Sequence, residues 1–152
     1  MNNEELKSFI TQRVPDAQYI DGKQFLECKI PSSEWLALAK DLKADSSTSF
    51  DYLFCLTGID YADHMEVAYH MRSTQLGHEM VVKASIPSRE TPTIESVCHI
   101  WRTAEFHERE AYDLFGIVFA NHPDLRRLLL TDDWEGYPMR KDYEDPINMI
   151  EY

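Results

Sequence analysis

The stretch from Val97 to Gly116 constrains this chain more than any other. At about 100° per residue, Val97, Trp101, Ala104, Ala111 and Phe115 fall on one stripe with Ile100 at its edge. The spacing predicts a helix that begins near Val97 and stops at Gly116, followed by the short apolar run Ile117-Val118-Phe119. Glu108 falls inside the stripe. A carboxylate among apolar side chains is costly to bury unless a cation or several donors meet it. Either Glu108 lies at the solvent edge of the stripe, or it meets a buried partner from this chain's arginines or from another protein.

The totals narrow what such a helix can serve. At 152 residues the chain is long enough for one domain with a core, and its 43% hydrophobic content argues against wholesale disorder. A formal net charge of -12 argues against nucleic acid and against direct adsorption to an anionic membrane. Cys28, Cys55 and Cys98 are far apart and odd in number, so they read as small core residues in a reducing compartment. The N-terminal residues lack the basic-then-apolar order of a signal peptide, and no stretch approaches the ~20 apolar residues of a membrane span. The expectation is a soluble, cytoplasmic chain.

Upstream of the helix, alternating patterns dominate. Leu6, Phe9 and Ile10 predict an amphipathic helix over 3–13, with Glu4 and Glu5 at its positive end. Residues 17–20 and 24–30 read as strands joined by a tight turn at Asp21-Gly22. Trp35, Leu38, Ala39 and Leu42 mark a second helix opened by Pro31-Ser32-Ser33-Glu34, where either serine can cap. Residues 50–59 suit a strand buried on both faces, 65–72 one with a wetter face, and 80–86 the return strand stopped by Pro87. The fold class is therefore α+β: two layers, a mixed β-sheet made from a hairpin and a three-strand meander, covered by helices. Residues 1–121 make that domain, and 122–152 form an extended docking segment with weak pattern that cannot fold alone.

Motifs for chemistry are sparse. After His107-Glu108 a zinc-protease helix needs a second histidine at position 111, which is Ala. Five glycines supply neither a dinucleotide fingerprint nor a phosphate loop, and no clustered cysteines or Glu-x-x-His units offer iron ligands. The expectation is no catalytic, cofactor-binding or metal-binding residue in the chain. Glu105, Arg109 and Asp113, spaced four apart, read as ordinary ion pairing on a helix surface. An acid-base enzyme built on Glu108 and Asp113 is the reading from another class, and a stand-alone binding module is a third.

Aromatic residues and arginines stand out instead. Phe106 lies opposite the apolar stripe, on the face of Arg102, Arg109 and Asp113. With Trp134, Tyr137 and Tyr143 and the basic doublets Arg126-Arg127 and Arg140-Lys141, it has the composition of an interface rather than of a solvated face.

These residues resemble the 30-kDa subunit family of respiratory complex I, the C subunit in bacteria. The family pattern is Glu-Arg-Glu, two residues, an acid, two apolar residues, six residues, His, three residues, a basic residue, one residue and two aliphatics. Glu108-Arg109-Glu110, Asp113-Leu114-Phe115, His122, Arg126 and Leu128-Leu129 match it, and the run from Asp133 to Tyr143 extends it. Upstream, 58–61, 67–70 and Ile100-Trp101 look like the family too. The resemblance implies a subunit of the peripheral arm of NADH:quinone oxidoreductase, on the cytoplasmic side of the membrane, with membrane contact only through the complex. It implies that NADH, FMN, iron-sulfur clusters and quinone are handled by companions, and that this chain packs on the 49-kDa-type (D) subunit near cluster-carrying subunits. Docking residues on this view are Phe106, Glu108, Arg109, Glu110, Asp113, His122, Arg126, Arg127, Trp134, Tyr137, Arg140 and Lys141. Relatives often continue beyond the Asp142-Tyr143 position with a basic, aromatic extension, which puts the contacts of that extension in question here. The equivalent subunit of a membrane-bound hydrogenase, or of a ferredoxin- or F420-linked complex, shares the same motifs.

Overall fold

A computed structural model describes residues 1–22 and 24–145 of the chain. The last seven residues of the expected docking segment, 146–152, lie outside the described residues. Helix α1 (Asn3–Thr11) starts at a reciprocal cap: Glu5 N–H donates to the Asn2 side chain, and Asn2 N–H donates to the Glu5 carboxylate, both at 2.9 Å. It buries Leu6, Phe9 and Ile10. Strands β1 (Gln18–Asp21) and β2 (Leu26–Pro31) form the expected hairpin, but Asp21 pairs with Leu26, so residues 22–25 make a longer connection than a tight Asp-Gly turn. Helix α2 (Ser32–Ala44) begins at Pro31, and neither serine caps it. Proline suits this position because its fixed φ leads into a helix, as the observed φ of -62° shows.

Strands β3 (Tyr52–Asp60), β4 (Met65–Arg72) and β5 (Glu79–Ile86) complete a five-stranded sheet of order β1-β2-β5-β4-β3. Every pairing is antiparallel except β2 with β5, which join the hairpin to the meander in parallel, so the sheet is mixed. Register puts Cys28, Ile30, Val67, Tyr69, Val82 and Ala84 on one face, all buried in the core with the apolar stripes of the helices. Trp35 of α2 lies 4.2 Å from the Tyr69 ring, centroid to centroid, and 6.2 Å from Trp101.

Two strands depart from expectation. Instead of being buried on both faces, β3 has Tyr52 and Thr57 in solvent, and a register shift between Leu53 and Cys55 lets both Leu53 and Leu56 turn inward. Strand β4 is buried nearly throughout: Glu66, on the supposedly wet face, is covered and ion-paired with Lys29 and lies 3.2 Å from His64. Partners on neighbouring strands, invisible to a pattern along one strand, made the difference.

The long helix also differs at its start. Val97–Trp101 forms a separate turn, and regular helix α3 runs from Ala104 to Phe115. Trp101 Nε1 donates to the Phe50 carbonyl at 2.9 Å and the Thr103 hydroxyl to the Leu53 carbonyl at 2.7 Å, pinning this turn to the edge of the sheet. The stripe survives, since Val97, Trp101, Ala104, Ala111 and Phe115 are all buried. Strands β6 (Thr93–Glu95) and β7 (Val118–Ala120) pair in parallel on either side of α3. At three residues each they are too short to show a period. Gly116 ends α3 with φ of 71°, and its N–H donates to the Tyr112 carbonyl.

Candidate docking site

Helix α3 is wrapped by the segment that follows it, and a buried carboxylate organises the wrap. Asp113 is fully buried, and its Oδ2 accepts the backbone N–H groups of Leu128, Leu129 and Leu130 at 3.0, 2.6 and 2.9 Å. Its Oδ1 accepts from Arg127 Nη1 at 2.9 Å. Burial alone would raise the Asp113 carboxyl, but these four donors outweigh it and hold it below the usual carboxylate range. Arg109, 6% exposed, donates to the carbonyls of Arg126 and Arg127. The expected surface ladder of Glu105, Arg109 and Asp113 is therefore corrected. Two of its members face inward, because donors and acceptors about 15 residues further on claim them.

The chain then runs back over the C-terminal end of α3. Arg127 Nη2 donates to the carbonyls of Trp134 and Gly136, and Met139 N–H to the Leu114 carbonyl. Arg140 Nε donates to the Phe115 carbonyl at 2.6 Å. Tyr137 lies under the guanidinium groups of Arg127 and Arg140 and against Gly116, where an added Cβ would stand 2.5 Å from its ring. Last, the buried Asp60 accepts Lys141 N–H and both forks of Arg89, which also grips Asp142. Those donors hold the Asp60 carboxyl far below its ordinary range, Arg89 first among them.

Each basic doublet thus divides. Arg127 and Arg140 point inward, whereas Arg126 is exposed beside Asp124, and the Lys141 side chain is exposed. Glu110 is exposed on α3. Trp134 is half-buried. The most exposed apolar groups of this wrap are Phe106 (57% exposed), Leu129 (63%) and Met139 (56%). Phe106 sits 5.7 Å from the Arg109 guanidinium, the group that anchors residues 126–127, so helix and loop present one surface there. Leu129 and Met139 had no signal in the sequence, since nothing local says which leucine of Leu128-Leu129-Leu130 a carboxylate nest turns outward.

Glu108 is fully buried, the second of the two readings left open, but neither an arginine nor a lysine meets it among the described residues. Its Oε1 accepts Val97 N–H at 2.8 Å, and its Oε2 lies 2.5 Å from the Ser96 hydroxyl. Desolvation pushes its carboxyl up to about 7 against the pull of those two donors. His122 Nε2 stands 3.9 Å from Oε2 and donates to the Glu105 carbonyl at 2.9 Å. Cys98, Glu108 and His122 bring ligand-type atoms within 4.8 Å of one another, a grouping that sequence spacing hides. They do not fit a metal. Asp124 N–H donates to His122 Nδ1 at 3.0 Å, so the ring proton is on Nε2, the nitrogen facing the cluster. A metal on Nε2 would set an Nδ1–H against that backbone N–H.

The architecture defines a class: a small α+β domain in which residues 126–143 are folded back around one amphipathic helix into a preformed surface. Residues 28–147 match the model of the respiratory-chain NADH dehydrogenase 30 Kd subunit. The chain belongs to that family. It is 49% identical over 112 residues to the NADH-quinone oxidoreductase C subunit of Chloroherpeton thalassium, a match covering 72% of this chain and 46% of that one. With the corresponding C subunit of Chlorobium phaeobacteroides it shares 42% identity over 118 residues, covering 76% and 70%. The NADH-quinone oxidoreductase C/D subunit of Phocaeicola vulgatus is 46% identical over 110 residues, covering 72% of this chain and 21% of that one. The chain thus spans under half the length of two of these three relatives. Among solved structures, a chain of the membrane-bound sulfane sulfur reductase, an archaeal respiratory membrane complex, superimposes with a TM-score of 0.77 at 26% identity, covering 93% of this chain and 85% of that one.

Proposed function

We propose that the chain is the 30-kDa component of the peripheral arm of an NADH:quinone oxidoreductase and that its work is docking. Residues 1–121 supply the domain and the following segment the docking arm, with the 49-kDa-type subunit as the principal partner and cluster-carrying subunits nearby. NADH, FMN, iron-sulfur clusters and quinone are handled by those companions. The chain sits on the cytoplasmic side and touches the membrane only through them; no helix of the described residues is long and apolar enough to cross one.

The observation that carries this reading is the inward turn of the charges. Asp113, Arg109, Arg127, Arg140 and Asp60 act as internal anchors, so Phe106, Leu129 and Met139 are held outward on a preformed backbone. Exposed aromatic and aliphatic anchors on a rigid frame are what a hot spot requires. The carboxylates of a Glu108–Asp113 acid-base enzyme are both engaged by internal donors, which weighs against that reading. Relatives that carry the double name C/D support the 49-kDa-type (D) subunit as the partner, because they unite the two in one chain.

Co-expression with the genomic neighbours tests the proposal. The expected result is recovery with a 49-kDa-type partner, weakened by Phe106→Ala combined with Leu129→Ala. Recovery as a lone monomer overturns it. The likeness to a sulfane sulfur reductase chain favours a second reading, the equivalent subunit of another respiratory membrane complex. Neighbouring genes for a nickel-binding subunit or another electron-input module distinguish the two.

A further inference from the structure

His122 has one N–H and two acceptors within reach. Asp124 N–H occupies Nδ1, which fixes the proton on Nε2. That N–H donates to the Glu105 carbonyl at 2.9 Å, and Glu108 Oε2 waits at 3.9 Å. Ser96 is the other polar group on that oxygen. Its hydroxyl oxygen accepts Cys98 N–H at 3.2 Å and lies 3.1 Å from Cys98 Sγ. Its hydrogen goes to Glu108 Oε2 at 2.5 Å, so the carboxyl group has two donors, Ser96 and Val97 N–H, and no cation in hydrogen-bond contact.

The groups facing Glu108 are few. The 96–98 turn contributes Ser96, Val97 N–H and the Cys98 thiol; the turn after β7 contributes His122; β4 contributes the Tyr69 hydroxyl. On α3 itself, Arg109 is turned away to the carbonyls of residues 126 and 127. When the carboxyl loses its proton to solvent, no fixed cation among the described residues compensates, and the nearest movable donor is His122 Nε2–H.

We infer that Glu108 and His122 form a proton-controlled latch on the docking segment. With Glu108 neutral, His122 is bound to the Glu105 carbonyl. With Glu108 ionised, the same N–H swings to Oε2, closing about 1 Å, the margin beyond hydrogen-bond length. His122 stands four residues before Arg126, so the swing moves the root of the loop that displays Leu129. The inference rests on the docking reading for its consequence but not for its chemistry. The protonated state is the docking-competent one, because it holds the loop in the geometry described.

Imidazole 15N spectra of the full chain across pH 5.5–8.5 test the chemistry without a partner. The Nε2–H signal should report the ionisation of Glu108, near pH 7, while Nδ1 keeps the shift of an unprotonated nitrogen, and Glu108→Gln should abolish the change. A flat wild-type profile overturns the latch even if the Gln variant does not fold. Overturning it equally would be a midpoint unchanged in Glu108→Gln, or an Nδ1 that gains a proton. Association with the 49-kDa-type subunit, followed by titration calorimetry, should weaken about fivefold or more from pH 6 to pH 8 in the wild type. A pH-independent affinity overturns the link to docking. No association at any pH, with the spectral titration intact, overturns the docking reading and leaves the Glu108–His122 switch supported.

Discussion

Replacing Asp113 with Asn removes the charge around which residues 127–130 are wrapped. The carboxylate receives three backbone N–H groups and one guanidinium hydrogen bond, all between 2.6 and 3.0 Å, in a fully buried setting. Asn keeps one acceptor oxygen but turns an amide donor toward N–H groups or toward Arg127, whose charge is then buried without its partner. Hydrogen bonds to charged groups contribute about 1.5–3 kcal/mol each, and breaking a buried pair costs about 3–5 kcal/mol. We expect a loss of about 3–5 kcal/mol in the stability of the wrapped segment. Amide exchange at 128–130 reads it directly and should accelerate by about 100-fold or more at pH 7. The pH dependence follows from the lowered carboxyl of Asp113: its contribution is complete above the unfolded value of about 3.9 and is lost as pH falls through the folded value. Wild type and Asp113→Asn should therefore converge in acid. Unchanged exchange at 128–130 in the variant would refute the claim that this carboxylate holds the segment.

Asp60→Asn should loosen residues 141–143 from the body, since Lys141 N–H loses its carboxylate and Arg89, still paired with Asp142, loses its anchor, giving faster tryptic cleavage after Arg140 and Lys141 with little change in the amides of 128–130. Gly116→Ala combines a left-handed φ of 71° with a Cβ 2.5 Å from the Tyr137 ring, so it should cost about 2 kcal/mol or more in urea unfolding. Phe106→Ala, at a site 57% exposed, should leave stability within about 0.5 kcal/mol yet weaken binding to the partner by about 2 kcal/mol or more in a titration. The raised carboxyl of Glu108 makes its contribution greatest below the unfolded value and loses it as pH rises through about 7. Glu108→Gln, which cannot ionise, should thus gain on wild type by about 1–2 kcal/mol between pH 5.5 and pH 8.5 in urea titrations.

Periodicity carried the sheet, the three helices and the inward placing of Val97, Trp101 and Phe115, because each depends on side chains a few residues apart. It failed where the deciding partner is distant. Arg109 and Asp113 have the spacing of a surface ladder, and only the carbonyls and N–H groups of residues 126–130 turn them inward. Glu66 alternates like a solvent residue, yet Lys29 from a strand two places across the sheet helps cover it. Strands β6 and β7 are visible only as a pair, because a three-residue run has no period of its own. Trp134, Tyr137 and the two basic doublets stood out by composition, but not which member of each doublet would face inward.

On the docking reading, the folding of residues 126–143 onto their own domain bears on how a partner would be met. A segment that ordered itself only on a partner would lose roughly 1–2 kcal/mol of backbone entropy per residue at the moment of binding. Here that ordering is already met from within: Asp113 fixes 128–130, the Phe115 carbonyl fixes Arg140 and Asp60 fixes Lys141. Association then needs little beyond burying Phe106, Leu129 and Met139, so the anchors should govern the lifetime of the complex through the shape they maintain rather than through contacts of their own. On this reasoning Asp113→Asn and Phe106→Ala weaken association by different routes. The first should slow productive encounter as well, since the loop must reorder; the second should act almost wholly on dissociation. Surface-plasmon traces of the two variants separate them, and equal effects on both rate constants would mean that the tail is not preorganised in the way its hydrogen bonds imply.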